Sequence, residues 1–261
     1  DMRDFDFRAI HSALSVFGVD LDDLAAAAVA VFDHGNAPPG VSDRQFRFDY
    51  LDARIRSANR LSAFAYPAGS IPPIMTRLQA VAQSAGDLQV PLFVMDTAPA
   101  AVLGAAFDPH TASLPQVIIT NIGNFHTLAF RLGPGGIEGV FEHHTGLLNQ
   151  QQLENLLRSL AKGSLTHAEV FENHGHGALV YNPNPMEIDP GAGNLIVTGP
   201  RRGMLRFSAL KPYDAAPFGD MMIAGCFGLL AAVADLQPAL REPILHALRN
   251  SAGAGRAPWE I

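Results

Sequence analysis

Apolar positions along this chain recur at helical spacing in some stretches and in short unbroken runs in others. Phe7, Ile10, His11, Leu14 and Phe17 repeat as one face of a helix, with Gly18 as the stop. Residues 25–32 are small, β-branched and apolar and run into Asp33-His34-Gly35, the pattern of a buried strand delivering polar groups at its carboxyl end. Residues 36–40 form a proline-containing loop, and residues 42–58, with a Ser-Asp start and mixed charge, predict a surface helix. After a break at 67–73, residues 74–85 predict a helix stopped by Gly86, and residues 91–95 a short strand ending in Asp96. Residues 99–106 are an alanine-rich helix whose small side chains allow close packing.

Beyond Asp108 the pattern changes. Residues 117–120 read as a strand that enters the turn Asn121-Ile122-Gly123-Asn124-Phe125-His126-Thr127 and leaves as a second strand over 128–132. Gly133-Pro134-Gly135-Gly136 is a turn, and residues 137–141 return as a third strand. Residues 149–160 form an amphipathic helix with Leu153, Leu156, Leu157 and Leu160 on one face, and a helix or strand surrounds Val170 and Phe171. Residues 195–198 are a buried strand ending at Gly199-Pro200-Arg201-Arg202-Gly203; a long apolar helix from Phe218 and a last one over 238–249 follow. There is no repeat of fixed period and no low-complexity segment. The alternation of strands and helices predicts an α/β fold.

Composition sharpens this picture. The chain has 261 residues, enough for one large domain or two modest ones, and 48% of them are hydrophobic. Charged residues are 16%, against about 25% in ordinary domains. Lys and Arg number 18 against 25 Asp and Glu, a net charge of −7, and no basic block occurs. That balance argues against a nucleic-acid or anionic-membrane partner, since either needs clustered cations. The single cysteine, Cys226, can form no internal disulfide and can supply neither a cysteine-rich zinc site nor an iron–sulfur cluster. The longest uncharged apolar run, 221–234, falls short of the roughly 20 residues that span a bilayer. With no signal-peptide pattern ahead of the first helix, the expectation is a soluble cytoplasmic protein. Residue 1 is Asp and the helical pattern begins almost at once, so either upstream sequence is absent or the terminus is processed.

Five features could carry chemistry. The turn at 121–127 joins two strands through glycine and small polar residues; it is either an anion-holding concavity, with Asn121, Asn124 and Thr127 as donors, or an ordinary hairpin. Thr198-Gly199-Pro200-Arg201-Arg202-Gly203 would let a planar ring approach the backbone beside two arginines, or is a connecting loop with solvated arginines. Glycine in a helix costs about 1 kcal/mol relative to alanine. Gly225 and Gly228 therefore point to another backbone or a ligand lying close, or to core packing. The ten histidines suggest a metal. His174 and His176 would share a strand face and His143-His144 with Glu142 could add ligands for zinc, iron or manganese, or these histidines line a cleft. Since His143 and His144 point to opposite faces of an extended segment, at most one joins such a site. Asp33, Asp96 and Asp220 are the available acids; Asp33 and Asp96 follow apolar strand runs, where ligands of open α/β sheets sit.

The order of these features resembles the actin-like ATPase superfamily of actin, sugar kinases and heat-shock chaperones. Residues 99–105 look like its first connecting helix, 121–127 its second phosphate loop, 197–201 its adenosine loop and 218–232 its second connecting helix. More closely, Asn121-Ile122-Gly123-Asn124-Phe125-His126-Thr127-Leu128-Ala129-Phe130, Phe141-Glu142-His143-His144-Thr145, Gly199-Pro200-Arg201-Arg202 and Phe218-Gly219-Asp220-Met221-Met222 resemble the uncharacterised family DUF1786. Asp33-His34-Gly35 and Asn173-His174-Gly175-His176-Gly177 fit the same resemblance, which covers nearly the whole chain. It implies an actin-like, ribonuclease H-like two-domain fold whose first domain lacks its N-terminal phosphate hairpin. Residues 1–107 would be the remnant of domain I, 108–216 domain II, and 217–261 helices packing back on the hinge.

The implied function is that of an ATPase or ATP-dependent phosphotransferase with Mg2+ and ATP between the domains and an unknown small-molecule substrate. Asn121, Gly123, Asn124, His126 and Thr127 would hold phosphate, Gly199, Pro200 and Arg201 would border the adenosine, and Asp96 or Asp33 would serve catalysis. The superfamily's second phosphate loop opens with Asp, but here Asn121 stands there, which can coordinate yet cannot act as a base. The rival reading is a non-catalytic ligand- or partner-binding protein, and the third a metal-dependent enzyme using His143, His174 and His176. Members of the family are sometimes labelled pyruvate formate-lyase activating enzymes. That label resembles radical S-adenosylmethionine chemistry, whose cluster needs three cysteines where this chain has one.

Overall fold

The computed structural model describes residues 3–252; the outermost parts of the predicted end segments, 1–2 and 253–261, lie outside the described residues. Helix α1 (Phe7–Val16) is followed by strand β1 (Ala27–Ala30), helix α2 (Asp43–Ser57), strand β2 (Ala65–Pro67), helix α3 (Thr76–Ser84) and strand β3 (Leu92–Met95). Helices α4 (Thr97–Ala105) and α5 (Pro109–Ala112) lead to β4 (Val117–Ile122), β5 (His126–Gly133) and β6 (Gly136–His144). Then come α6 (Gln150–Ala161), α7 (His167–Phe171), β7 (Gly177–Val180), β8 (Leu195–Thr198), β9 (Tyr213–Asp214), α8 (Ala224–Leu236) and α9 (Pro238–Ala252). The class is mixed α/β, as the alternation of periods predicts.

The strands form two sheets. In the first, ordered β1-β3-β2, β1 runs parallel to β3 with Ala27 opposite Leu92, and β2 is antiparallel. The second is ordered β7-β6-β5-β4-β8-β9: β7, β6, β5 and β4 are mutually antiparallel neighbours, and β8 and β9 continue parallel to β4.

Period-2 alternation gives the second sheet two buried faces. Ile119, Leu128, Phe130, Val140 and Ile196 face a core shared with α2, α4 and α8. Ile118, Ala129, Phe141 and Val197 face the leucine stripe of α6, where Leu153, Leu157 and Leu160 are fully buried. A third cluster packs the first sheet on α3.

Helices α4 and α8 cross at backbone contact, which settles the question raised by the small residues. A Cβ on Gly104 would lie 1.7 Å from the Ala224 carbonyl oxygen, and one on Gly228 would lie 1.9 Å from that of Ala100. The close neighbour is another helix backbone. One expectation is corrected here: the C-terminal helix does not begin at Phe218. Phe218 sits at φ 58 inside a single 3-10 turn, and Asp220 Oδ1 takes the Met222 N–H at 2.7 Å. That local side-chain bond competes with helix, which starts only at Ala224. None of the described helices is long and apolar enough to cross a membrane.

The glycine crossing makes a sharp prediction. Gly228→Ala should cost about 3 kcal/mol in urea unfolding or prevent folding, as overpacking does. Gly225→Ala, whose Cβ would meet only Ala101 N at 3.9 Å, should leave stability unchanged or raise it by about 0.5–1 kcal/mol through helix propensity.

Candidate functional site

The carboxyl ends of β1 and β3 meet the β4–β5 turn, the end of β6 and the start of β7, and the buried groups of Arg47, Asp96, Glu142 and His176 converge there. Strand parity decides who takes part. His126 on β5 has the parity of Leu128 and Phe130, and Glu142 and His144 on β6 have that of Val140, so all three project toward the first sheet. Thr127 and His143 have the opposite parity. Their side chains go to the α6 side, where Thr127 bonds Thr145 at 3.0 Å and His143 places its ring nitrogens 3.1 and 3.0 Å from the carbonyls of His144 and Asn173.

At the centre lies Arg47, fully buried on the apolar face of α2 with Phe48, Leu51 and Ile55. Its Nη2 donates to Asp96 Oδ2 at 2.5 Å and its Nε to Glu142 Oε2 at 3.1 Å. Burial alone would make Arg47 easier to deprotonate, but the two carboxylates outweigh it and hold the guanidinium charged. Burial alone would likewise raise the Glu142 carboxyl; Arg47 and His34 reverse this and hold it well below the usual carboxylate range.

Four imidazoles gather above this ion network. His34 Nε2 lies 2.8 Å from Glu142 Oε1, but off the direction a ring N–H needs to donate. His126 stacks on Phe32 at 4.9 Å between centroids, with the rings within 7° of parallel. The His176 ring sits 4.7 Å from that of His34, 4.9 Å from His126 and 4.6 Å from His144. His176 is 3% exposed, and neither ring nitrogen has a partner. A buried polar group left so costs about 1–3 kcal/mol. Burial, above all else, lowers the pKa of His176 to about 3 and that of His126 to about 4, and lowers that of His144 as well.

The remaining predicted residues are placed as follows. Asp33 is a helix cap: its two oxygens accept from the backbone N–H groups of Gly35, Arg77 and Leu78 at 2.8–2.9 Å. Asp96 caps α4 and pairs with Arg47. In the β4–β5 turn, the Gly123 N–H closes onto the His126 carbonyl at 2.9 Å, and Asn124 and Phe125 are exposed. Asn121 lies against Gly199, whose Cβ would come 2.7 Å from its Oδ1, and the Arg201 N–H bonds the Ile122 carbonyl at 3.0 Å. Of the predicted ligands His143, His174 and His176, only His176 joins the cluster. His174 is exposed in a left-handed turn at φ 67 outside β7, so it shares no strand face with His176.

A separate cavity of about 600 Å³ opens beside Pro200 at the carboxyl end of β8, under the segment that leads to β9, lined in part by Val197, Arg202, Leu205, Arg206, Lys211 and Asp214. Arg202 is steadied by the Gly199 carbonyl at 3.3 Å and by Asp214 at 3.6 Å.

Two measurements test the electrostatics. His126 and His176 stay neutral in the native protein down to about 4 and 3, whereas the unfolded chain protonates them near 6.5. The unfolded state therefore binds more protons in that interval, and stability falls as pH drops from about 6.5 toward 4. Thermal melts across that range should show a declining Tm, and a His126→Gln, His176→Gln double variant should decline less steeply. Arg47→Met leaves two buried carboxylates unpaired and should lose about 3–5 kcal/mol in urea unfolding at neutral pH.

Residues 1–204 match the model of a family described as "Putative pyruvate format-lyase activating enzyme (DUF1786)". No curated protein matches the chain. The match includes β1 through β8, the Arg47 network and every histidine of the cluster, and on that extent the chain belongs to the DUF1786 family.

Proposed function

We propose that this protein binds a nucleotide, ATP with Mg2+, and works in the manner of an ATPase or ATP-dependent phosphotransferase on a small-molecule substrate. The observation that carries the reading is the cavity beside Pro200. Its about 600 Å³ suits a ligand of nucleotide size, and Arg202, Arg206 and Lys211 against Asp214 give it a cationic lining in a chain of net charge −7. It lies at a strand's carboxyl end, where open α/β sheets take their ligands. The arrangement of antiparallel β6-β5-β4 continued by parallel β8-β9 supports the actin-like, ribonuclease H-like reading of this half.

A second reading, ligand binding without turnover, is favoured by the commitment of the expected catalytic groups. Asp33 is spent on a helix cap, Asp96 on Arg47 and the Thr127 hydroxyl on Thr145. Asn121 cannot act as a base. Radical S-adenosylmethionine chemistry does not fit, because its cluster requires three cysteines and this sequence has Cys226 alone.

Calorimetric titration of Mg·ATP into the protein tests the proposal, with phosphate release measured in parallel to separate turnover from binding. The expected result is saturable binding that Arg206→Ala weakens by about tenfold, the worth of one charge-assisted hydrogen bond. No heat from folded protein at millimolar nucleotide would rule the reading out.

A further inference from the structure

We propose that His34, His126, Glu142 and His176 form the binding site of one divalent transition-metal ion, of the zinc, iron or manganese kind, at the seam between the two sheets. The site is independent of the nucleotide reading; it shares His176 and Glu142 with the ligands weighed from sequence and adds His34 and His126.

The first support is distance. One donor atom from each residue lies within 4.8 Å of every other. With metal–ligand bonds of about 2.0–2.2 Å, neighbouring donors around one ion stand about 3 Å apart and opposite ones about 4 Å. The 2.8 Å between His34 Nε2 and Glu142 Oε1 already has the length of such an edge. An angle unsuited to an N–H···O bond is what two lone pairs aimed at a common third point would show.

The second support is the orphaned imidazole. The large majority of buried polar side-chain atoms have partners, yet His176, at 3% exposure, has one for neither of its ring nitrogens. An ion would supply the missing partner to His176 and to His34 Nε2 together.

Charge balance is the third. Arg47 is shared by Asp96 and Glu142, so the buried network holds one positive and two negative charges. The surplus negative charge sits at Glu142, facing the rings of His34, His126 and His176. Arg47 holds Glu142 Oε2 and leaves Oε1 facing the imidazoles, the outer contact that orients a metal-binding carboxylate. Three imidazoles with one carboxylate suit a transition metal and disfavour Mg2+ or Ca2+, which take oxygen ligands. His144 borders the site without belonging to the donor set, and His143 and His174 lie outside it.

The test uses chelator-treated protein titrated with Co2+, read by its visible ligand-field bands, and with Zn2+ by calorimetry. One ion per chain should bind, raise the Tm, and leave the Co2+ bands unchanged when millimolar Mg2+ is added. His34→Asn and His176→Ala should each weaken binding by more than about a hundredfold, beyond the loss expected for an outer partner. His174→Ala should retain full stoichiometry. Should His176→Ala fail to fold, the half-buried His34→Asn decides alone. Folded wild-type protein that takes up none of Co2+, Zn2+ or Mn2+ overturns the proposal. So does stoichiometric binding that survives His34→Asn, and so does Co2+ displaced by Mg2+.

Discussion

The buried guanidinium of Arg47 is the constraint to which the rest of the site answers. Removing such a charge from water costs several kcal/mol even after relaxation, and Arg47 is fully buried. The fold offsets that cost by bringing two carboxylates from different sheets onto one side chain: Asp96 from the end of β3 and Glu142 from β6. The ion network thus ties the first sheet to the second through directed contacts, beside the apolar core they share. It also fixes which oxygen of Glu142 is free, and so what the histidines above it can do. Asp33 belongs to the same arrangement through its backbone, since its carbonyl accepts from Arg47 Nη1 at 3.3 Å while its carboxylate caps α3.

Parity on β5 and β6 then sorts every polar residue of the two motifs. With His126 opposite His144 and Thr127 opposite His143, one pair faces the first sheet and the other faces α6. A shift of one residue would exchange them. The register is held on both sides by fully buried Leu128, Phe130, Phe141 and Val140, so the chemistry of the cluster is secured by apolar packing that has no chemistry of its own.

Much of this was legible in the sequence. The strands read at 117–120, 128–132 and 137–141, the leucine stripe of α6 and the small-residue helices follow from period and composition, although pairing carries β4 to Ile122, starts β5 at His126 and runs β6 to His144, into residues that read as turn. So does the separation of His143 from His144, because alternation in an extended segment is a local rule. Choosing which of the two turns inward needed the apolar parity of Leu128 and Val140, a signal available but weak against the attraction of a His-His pair. Arg47 had no distinct mark either: Arg44 stands at helical spacing to Phe48, Leu51 and Ile55 as well, yet it is Arg47 that is fully buried. His34 was hidden because its role depends on β1 meeting β6 across more than a hundred residues, which no local pattern encodes. His174 misled for the opposite reason: its spacing from His176 suits a strand, but φ 67 at His174 breaks the extended backbone there, and β7 begins only at Gly177.

The two candidate ligand regions lie on different faces of one sheet, and this governs how they can be related. The cavity beside Pro200 is walled by Val197 and Leu205, which belong to the core on the α6 side. The histidine cluster lies on the side of the first sheet, with the β4–β5 turn between them. That turn is pinned from both directions: Arg201 N–H to Ile122 carbonyl on the cavity side, and Thr145 N–H to Phe125 carbonyl beside the cluster. A single small ligand therefore does not fill both. What joins them is a short segment, 122–126, whose backbone bonds reach each region, so both would register a movement of this turn. The exposed Phe125 at its tip contributes little to the core, whereas Ile122 is fully buried on the α6 side and His126 stacks on Phe32, so the segment is held at both ends by packing and between them by those backbone bonds.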